Sequence, residues 1–93
     1  MTVYEIDLKD VFSADDFQDL MEEILPLPDY YGRNLDALHD VLTEQSAGWD
    51  IRFTGDIEAE AALGKHMRSI RRMFRKAAEE NAEYLQVSFD SEA

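Results

Sequence analysis

The chain has 93 residues, with 21 acids, nine bases and no cysteine, and a formal charge of −12. A chain this short holds one small core, so a single domain over residues 1–93 is expected, and an apolar share of 45% excludes wholesale disorder. The lack of cysteine excludes a disulfide framework and thiolate metal sites, and the acidity argues against binding nucleic acid or an anionic membrane, whose phosphates need cationic neutralisation.

An acidic surface favours solubility. It also draws in a basic partner and speeds the encounter. The charge is unevenly spread: Lys65, Arg68, Arg71, Arg72, Arg75 and Lys76 lie in a stretch with no acid, which leaves three bases against 21 acids elsewhere, or −18. No apolar run approaches the roughly 20 residues of a membrane span. Glu5, Asp7, Lys9 and Asp10 interrupt any signal-peptide core. The expectation is a soluble cytoplasmic protein.

Thr2 to Leu8 alternates, with Tyr4, Ile6 and Leu8 against Glu5 and Asp7, which predicts a half-buried strand. Ser13 followed by Asp16 resembles a capping box. Phe17, Leu20, Met21, Ile24 and Leu25 then give the apolar stripe of a first helix. Leu25-Pro26-Leu27-Pro28 ends it, because each proline turns the residue before it to extended geometry. Pro26 to Arg33 is a short stiff loop in which Gly32 is expected to take a backbone conformation other residues resist. One of Tyr30 and Tyr31 should pack beside the prolines while the other faces out.

Asn34 is placed to cap a second helix from Leu35 to Gln45, accepting a free N–H of the first turn. Leu35, Leu38, Val41 and Leu42 form its inward stripe, with Asp36, His39, Asp40 and Thr43 on the other side. The helix dipole favours an acid at Asp36 and does little for Asp40, so stability gives Asp40 no reason to be acidic. Ser46-Ala47-Gly48 breaks the helix. Trp49 to Thr54 alternates as a second strand. Asp56 is expected to cap a short helix closed by Gly64, and a longer helix runs from His66 to Glu80 with Met67, Ile70, Met73, Phe74 and Ala77 inward. Asn81 stops it. Tyr84 to Phe89 is the third strand, and the tail from Asp90 is expected to fray.

The order β-α-α-β-α-α-β predicts an α/β fold: a small three-stranded parallel sheet with helices packed mainly on one face. Parallel sheets are usually covered on both faces, but the alternation in these strands predicts one wet face.

The window holding Leu27, Pro28, Tyr30, Tyr31, Gly32, Asn34, Leu35, Asp36, Ala37, Leu38, Asp40, Leu42 and Thr43 resembles the barstar family of bacterial ribonuclease inhibitors. Elsewhere the resemblance lies in length, element order and the Phe74-Arg75 region. It implies the same small parallel sheet. It also implies a partner: a basic ribonuclease of the secreted, guanyl-specific type, or a nuclease toxin, whose active site is plugged. Asp40 would then be the principal phosphate mimic, Asp36 a second charged contact and Tyr30 an aromatic anchor. Asn34, Leu35 and Thr43 would be close neighbours, with His39 and Glu44 completing the partner-binding surface. A carboxylate suits this task because a site built for RNA phosphates meets it with charge-assisted hydrogen bonds. Three positions depart from the family pattern. His39 stands where tryptophan is common, Lys76 where an acidic edge contact can occur, and Arg33 where an acid can. They imply a nuclease surface complementary to a histidine and a lysine.

Little else in the sequence suggests chemistry. The histidines are His39 and His66, no serine sits in a nucleophile motif, and there is no phosphate-binding glycine loop. Asp36, His39 and Asp40 on one exposed helix face lack the cage a cation needs, so no cofactor, metal or enzymatic activity is expected. The cationic stripe of Arg68, Arg72 and Lys76, with Arg71 and Arg75 beside it, lacks interleaved aromatics for bases. It is expected to pair with Glu79, Glu80 and Glu83. The free protein is expected to be a monomer. The alternative reading is an acidic interaction domain of the same fold that binds a basic protein other than a nuclease.

Overall fold

Alternation along the strands produces a two-faced sheet. β1 (Thr2–Asp7) and β2 (Trp49–Thr54) pair in parallel from Thr2 with Trp49 to Asp7 with Thr54. β3 (Leu85–Phe89) pairs in parallel on the other side of β2, from Trp49 with Leu85 to Phe53 with Phe89. The order is β1-β2-β3. Ile6, Trp49, Ile51, Phe53, Leu85 and Phe89 are buried. Val3, Glu5, Arg52, Thr54, Gln86 and Ser88 are exposed, so the second face is wet, as the alternation predicts.

The computed structural model describes residues 1–45 and 48–92. Ser46 and Ala47, two residues of the expected helix breaker, and Ala93 lie outside the described residues. The buried face is covered by α1 (Ala14–Ile24), α2 (Leu35–Gln45), α3 (Asp56–Leu63) and α4 (Lys65–Glu80). Their periodic apolar residues supply Phe17 and Met21, Leu38 and Leu42, Ala59, and Met67, Ile70 and Phe74, all with no exposed surface. Each large side chain so buried contributes about 2 kcal/mol. Phe53 stacks on Phe89 at 4.8 Å and meets Phe74 edge-on at 4.9 Å, which fastens α4 to the sheet.

Local signals set most helix ends. Ser13 accepts from the Asp16 N–H at 3.0 Å, and the Asp16 carboxylate accepts from the Phe12 N–H at 3.1 Å. Leu25 is extended ahead of Pro26, and α1 stops there. Asn34 caps α2, accepting from the Ala37 N–H at 2.7 Å.

Three expectations fail where long-range contacts decide. Asp56 does not cap α3. Gly55 holds that position at φ 71°, and a Cβ there would lie 2.8 Å from both an Asp7 carboxylate oxygen and the Lys9 nitrogen, so only glycine fits. The Asp56 side chain turns inward with no exposed surface. It accepts from Arg71 Nε at 2.9 Å, from the Ser91 N–H at 3.2 Å and from the Ser91 hydroxyl. The tail therefore does not fray at Asp90: Asp90–Glu92 forms a 3-10 turn, and Glu92 pairs with Arg75. Nor, among the described residues, does the basic stripe form ion pairs with Glu79, Glu80 or Glu83. Arg71 is buried with Asp56 and also reaches Glu60.

The α1–α2 loop is held by Arg33. Its Nη2 donates to Asp15 at 2.7 Å and Asp19 at 2.9 Å, and its Nη1 to Glu22. These acids form one stripe of α1. The left-handed residue of the loop is Arg33 itself, at φ 53°, and not Gly32 as expected. Gly32 is instead small for contact reasons, since a Cβ would meet that of Ala37 at 3.3 Å. Three ion pairs thus hold a side-chain-bearing residue in a backbone region that disfavours it.

Burial raises the Asp56 pKa, but the bonds from Ser91 and Arg71 outweigh it and hold the carboxyl below the usual carboxylate range. As pH falls, the unfolded chain takes this proton first. The stability due to Asp56 is full above about pH 4 and is lost as pH drops through the lower folded value. In urea titrations across the acid range, Asp56→Asn should therefore flatten the fall in stability seen for the wild type. At neutral pH, Asp56→Ala should cost about 3 kcal/mol or more, because it removes the buried partner of Arg71, leaving only the more exposed Glu60, and frees both Ser91 donors. Arg33→Ala should melt earlier than Arg33→Gly: both lose the ion pairs, but alanine keeps the backbone strain that glycine relieves.

Candidate functional site

Fixed at both ends, the loop splits its tyrosines. Tyr31 turns in. Its hydroxyl donates to the buried Gln18 on α1, and burial, above all, pushes its pKa up to about 12. Its backbone N–H donates to the Pro28 carbonyl at 3.0 Å, closing the turn. Tyr30 turns out and is 80% exposed, more than any other large apolar or aromatic side chain among the described residues. This split agrees with the sequence expectation.

α2 carries the remaining predicted residues in three different settings. Asp36, Asp40 and Glu44 recur every four residues on one solvent-facing line. Among the described residues, none of them has a basic partner. Like charges at this spacing each cost a helix a few tenths of a kcal/mol, so this line is unfavourable to the free protein. Asn34, Thr43 and His39 are differently placed. Asn34 is occupied locally, with its amide donating to the Gly32 carbonyl at 3.2 Å while its oxygen caps the helix. Thr43 turns its hydroxyl onto the backbone carbonyls of His39, at 3.0 Å, and Asp40, at 3.3 Å. His39 leans away from the acids and meets Glu80 of α4 at 3.1 Å. Leu35 is half-buried in the seam between α2 and α4.

Tyr30, Asp36, Asp40 and Glu44 are all exposed, Tyr30 on the loop that leads into α2 and the three acids along that helix, while His39 and Leu35 are partly buried on its α4 side. Asn34 and Thr43 support the backbone beneath. Sequence reasoning missed two contributors. Arg33 fixes the loop that presents Tyr30; a lone base opposite acids at positions 15, 19 and 22, one helix stripe, was the available signal. Glu80 orients His39 from 41 residues away, and no local pattern points to it.

The described residues hold no group of acids and histidines able to cage a metal ion, and no helix among them is long and apolar enough to cross a membrane. The arrangement is chemically a donor-poor, acceptor-rich surface with one aromatic projection. It can accept charge-assisted hydrogen bonds from guanidinium, ammonium and imidazolium groups.

The family model described as "Barstar (barnase inhibitor)" matches residues 1–90. A protein of Bacillus subtilis (strain 168), named "Putative ribonuclease inhibitor YrdF", is 35% identical over 80 residues, covering 81% of this chain and 84% of that protein. The parallel sheet with four helices is the fold that the Pro28–Glu44 signature implies, and on these grounds the chain belongs to the barstar family.

Proposed function

We propose that the chain inhibits a basic ribonuclease of the secreted, guanyl-specific type by occluding its active site. One observation carries the reading: Asp36, Asp40 and Glu44 stand exposed and without cations among the described residues, on the helix entered from a clamped loop that turns Tyr30 outward. A ribonuclease must hold RNA phosphates with Arg, Lys and His. Asp40, mid-helix and central in the line, takes the place of a phosphate and receives those donors. Asp36 makes a second charged contact. Tyr30 supplies the apolar anchor typical of interface hot spots. The clamp on the loop matters because an anchor already in place costs little ordering on binding.

The net charge of −12 supplies steering toward such a partner. The biological sense is protection. A cell that makes a ribonuclease, or meets one from a competitor, keeps a cytoplasmic inhibitor against it. Among relatives, the Bacillus subtilis protein is named as a ribonuclease inhibitor, which supports the same class here.

The test is inhibition of RNA cleavage by a panel of small basic ribonucleases, starting with barnase. Asp40→Ala should weaken binding by several kcal/mol, a magnitude taken from the barnase–barstar pair, the type case for such contacts, while the melting temperature holds or rises slightly. Tyr30→Ala and Asp36→Ala should weaken it by smaller amounts, on the order of 1–2 kcal/mol. Raising salt from about 50 mM to 500 mM should slow association steeply and change dissociation little. If no ribonuclease of the panel is inhibited while a basic protein of another class binds the wild type and not Asp40→Ala, the function is that of an interaction domain.

A further inference from the structure

Beside the acidic line lies a feature that phosphate mimicry does not use. Among the described residues, five of the nine bases have carboxylate partners: Lys9, Arg33, Arg52, Arg71 and Arg75. The four that have none are Lys65, Arg68, Arg72 and Lys76. All four are exposed, and their spacing of three, four and four residues puts them on one face of α4. A chain with 21 acids has ample means to neutralise four bases, yet this row is left open. Arg72 and Lys76 overhang a groove of about 280 Å³ between α4 and α2, which is floored by Leu35 and Met73 and bounded on the far side by Asp36 and His39. That volume is at the small end for ligand sites and suits one inserted side chain.

We propose that this groove receives a carboxylate side chain of the partner ribonuclease, from the rim of its cationic site, with Arg72 and Lys76 as its receptors. The inference rests on the ribonuclease-inhibitor reading and adds to it a condition on the partner: basic at the centre and acidic at one edge. Arg72 and Lys76, one turn apart, can both reach one carboxylate, while Leu35 and Met73 cover its aliphatic stem. Ser69, also on the groove wall, adds a hydroxyl donor. The acidic line on α2 and the cationic row on α4 form adjacent stripes of opposite sign. Such a pair fixes which way round the nuclease docks and repels nucleases that are basic throughout. An RNA strand is the less fitting occupant, because no aromatic platform accompanies the row to stack its bases and its run of phosphates would meet a chain of net charge −12.

The test uses the double variant Arg72→Glu/Lys76→Glu and the ribonuclease that the wild-type chain inhibits most strongly in the panel. The change makes the protein more acidic, so general steering toward a basic nuclease would tighten binding. The proposal expects the opposite: at least a roughly tenfold rise in Kd, expressed mainly in the dissociation rate, as for loss of a close charge pair. A control double variant on the wet sheet face and its flank, Lys9→Glu/Arg52→Glu, should bind as well as wild type or better. Changing the matching acid of the nuclease to lysine should restore affinity to the groove variant and weaken the wild type. Unchanged or tighter binding by the groove variant, with Asp40→Ala still disruptive, overturns the groove and leaves inhibition standing. Binding of a labelled RNA oligonucleotide by the free chain, abolished in the groove variant, overturns it in favour of RNA. Inhibition of no ribonuclease by the wild type removes both proposals. Thermal melting of each variant separates these outcomes from loss of fold.

Discussion

Asp56 has no exposed surface, and three hydrogen bonds from two distant residues, Arg71 and Ser91, meet on its carboxylate. Gly55 places it, because only a left-handed residue without a side chain can turn from the end of β2 into α3 so close to Asp7 and Lys9. Arg71 answers its charge from the middle of α4, and Ser91 closes over it from beyond β3. An ion pair this deep has a large desolvation cost, and it stabilises the fold only because every oxygen is bonded. What it secures is position. α4 lies fixed against β3 and α3, and α2 in turn lies on α4. The surface formed by α2 is thus positioned through α4 by a charge pair on the opposite side of that helix.

The charges of the molecule divide by task. Bases that have structural work are paired: Arg71 inside, Arg33 at the loop, Arg75 at the C-terminal turn. The charges left unpaired among the described residues include two neighbouring stripes, the acids of α2 and the bases of α4. Unpaired surface charge adds little to stability and much to recognition. The net charge describes only part of this, since a molecule of −12 still presents a cationic row next to its acidic face.

Much of the fold was legible in the sequence, for a physical reason. Periodicity reports which face of an element is dry, and three short alternating runs joined by helical stripes admit few arrangements. Asn34 and Ser13 were readable as caps because a cap acts within one turn. The tyrosine split was readable as a division of labour, and the resemblance suggested Tyr30 as the outward one. The failures share the opposite property. Asp56 looks like a cap from its neighbours, and its true partners are 15 and 35 residues away. The tail looks frayed until Ser91 is seen against Asp56. Gly32 invites a conformational reading, whereas the strain sits one residue later on Arg33, whose side chain has a reason to be there. The stripe of Arg68, Arg72 and Lys76, with Arg71 and Arg75 beside it, reads as a row that pairs with the acids after it, although Arg71 and Arg75 turn to separate, more distant carboxylates. Local pattern cannot tell a base that is needed inside from one that is free outside.

The open face of the sheet has a consequence for the protein's own company. β1 and β3 are the two edge strands of a three-stranded sheet, and edges of this kind invite strands from other copies. Val3 adds an exposed apolar residue on β1, but Glu5 and Asp7 share its face. Two copies that approached through this edge would bring acids against acids, within a field that is already strongly negative. The acidity proposed to draw a basic partner to one side of the molecule therefore also acts as a gatekeeper on the other, keeping a protein with two edge strands from templating its own assembly.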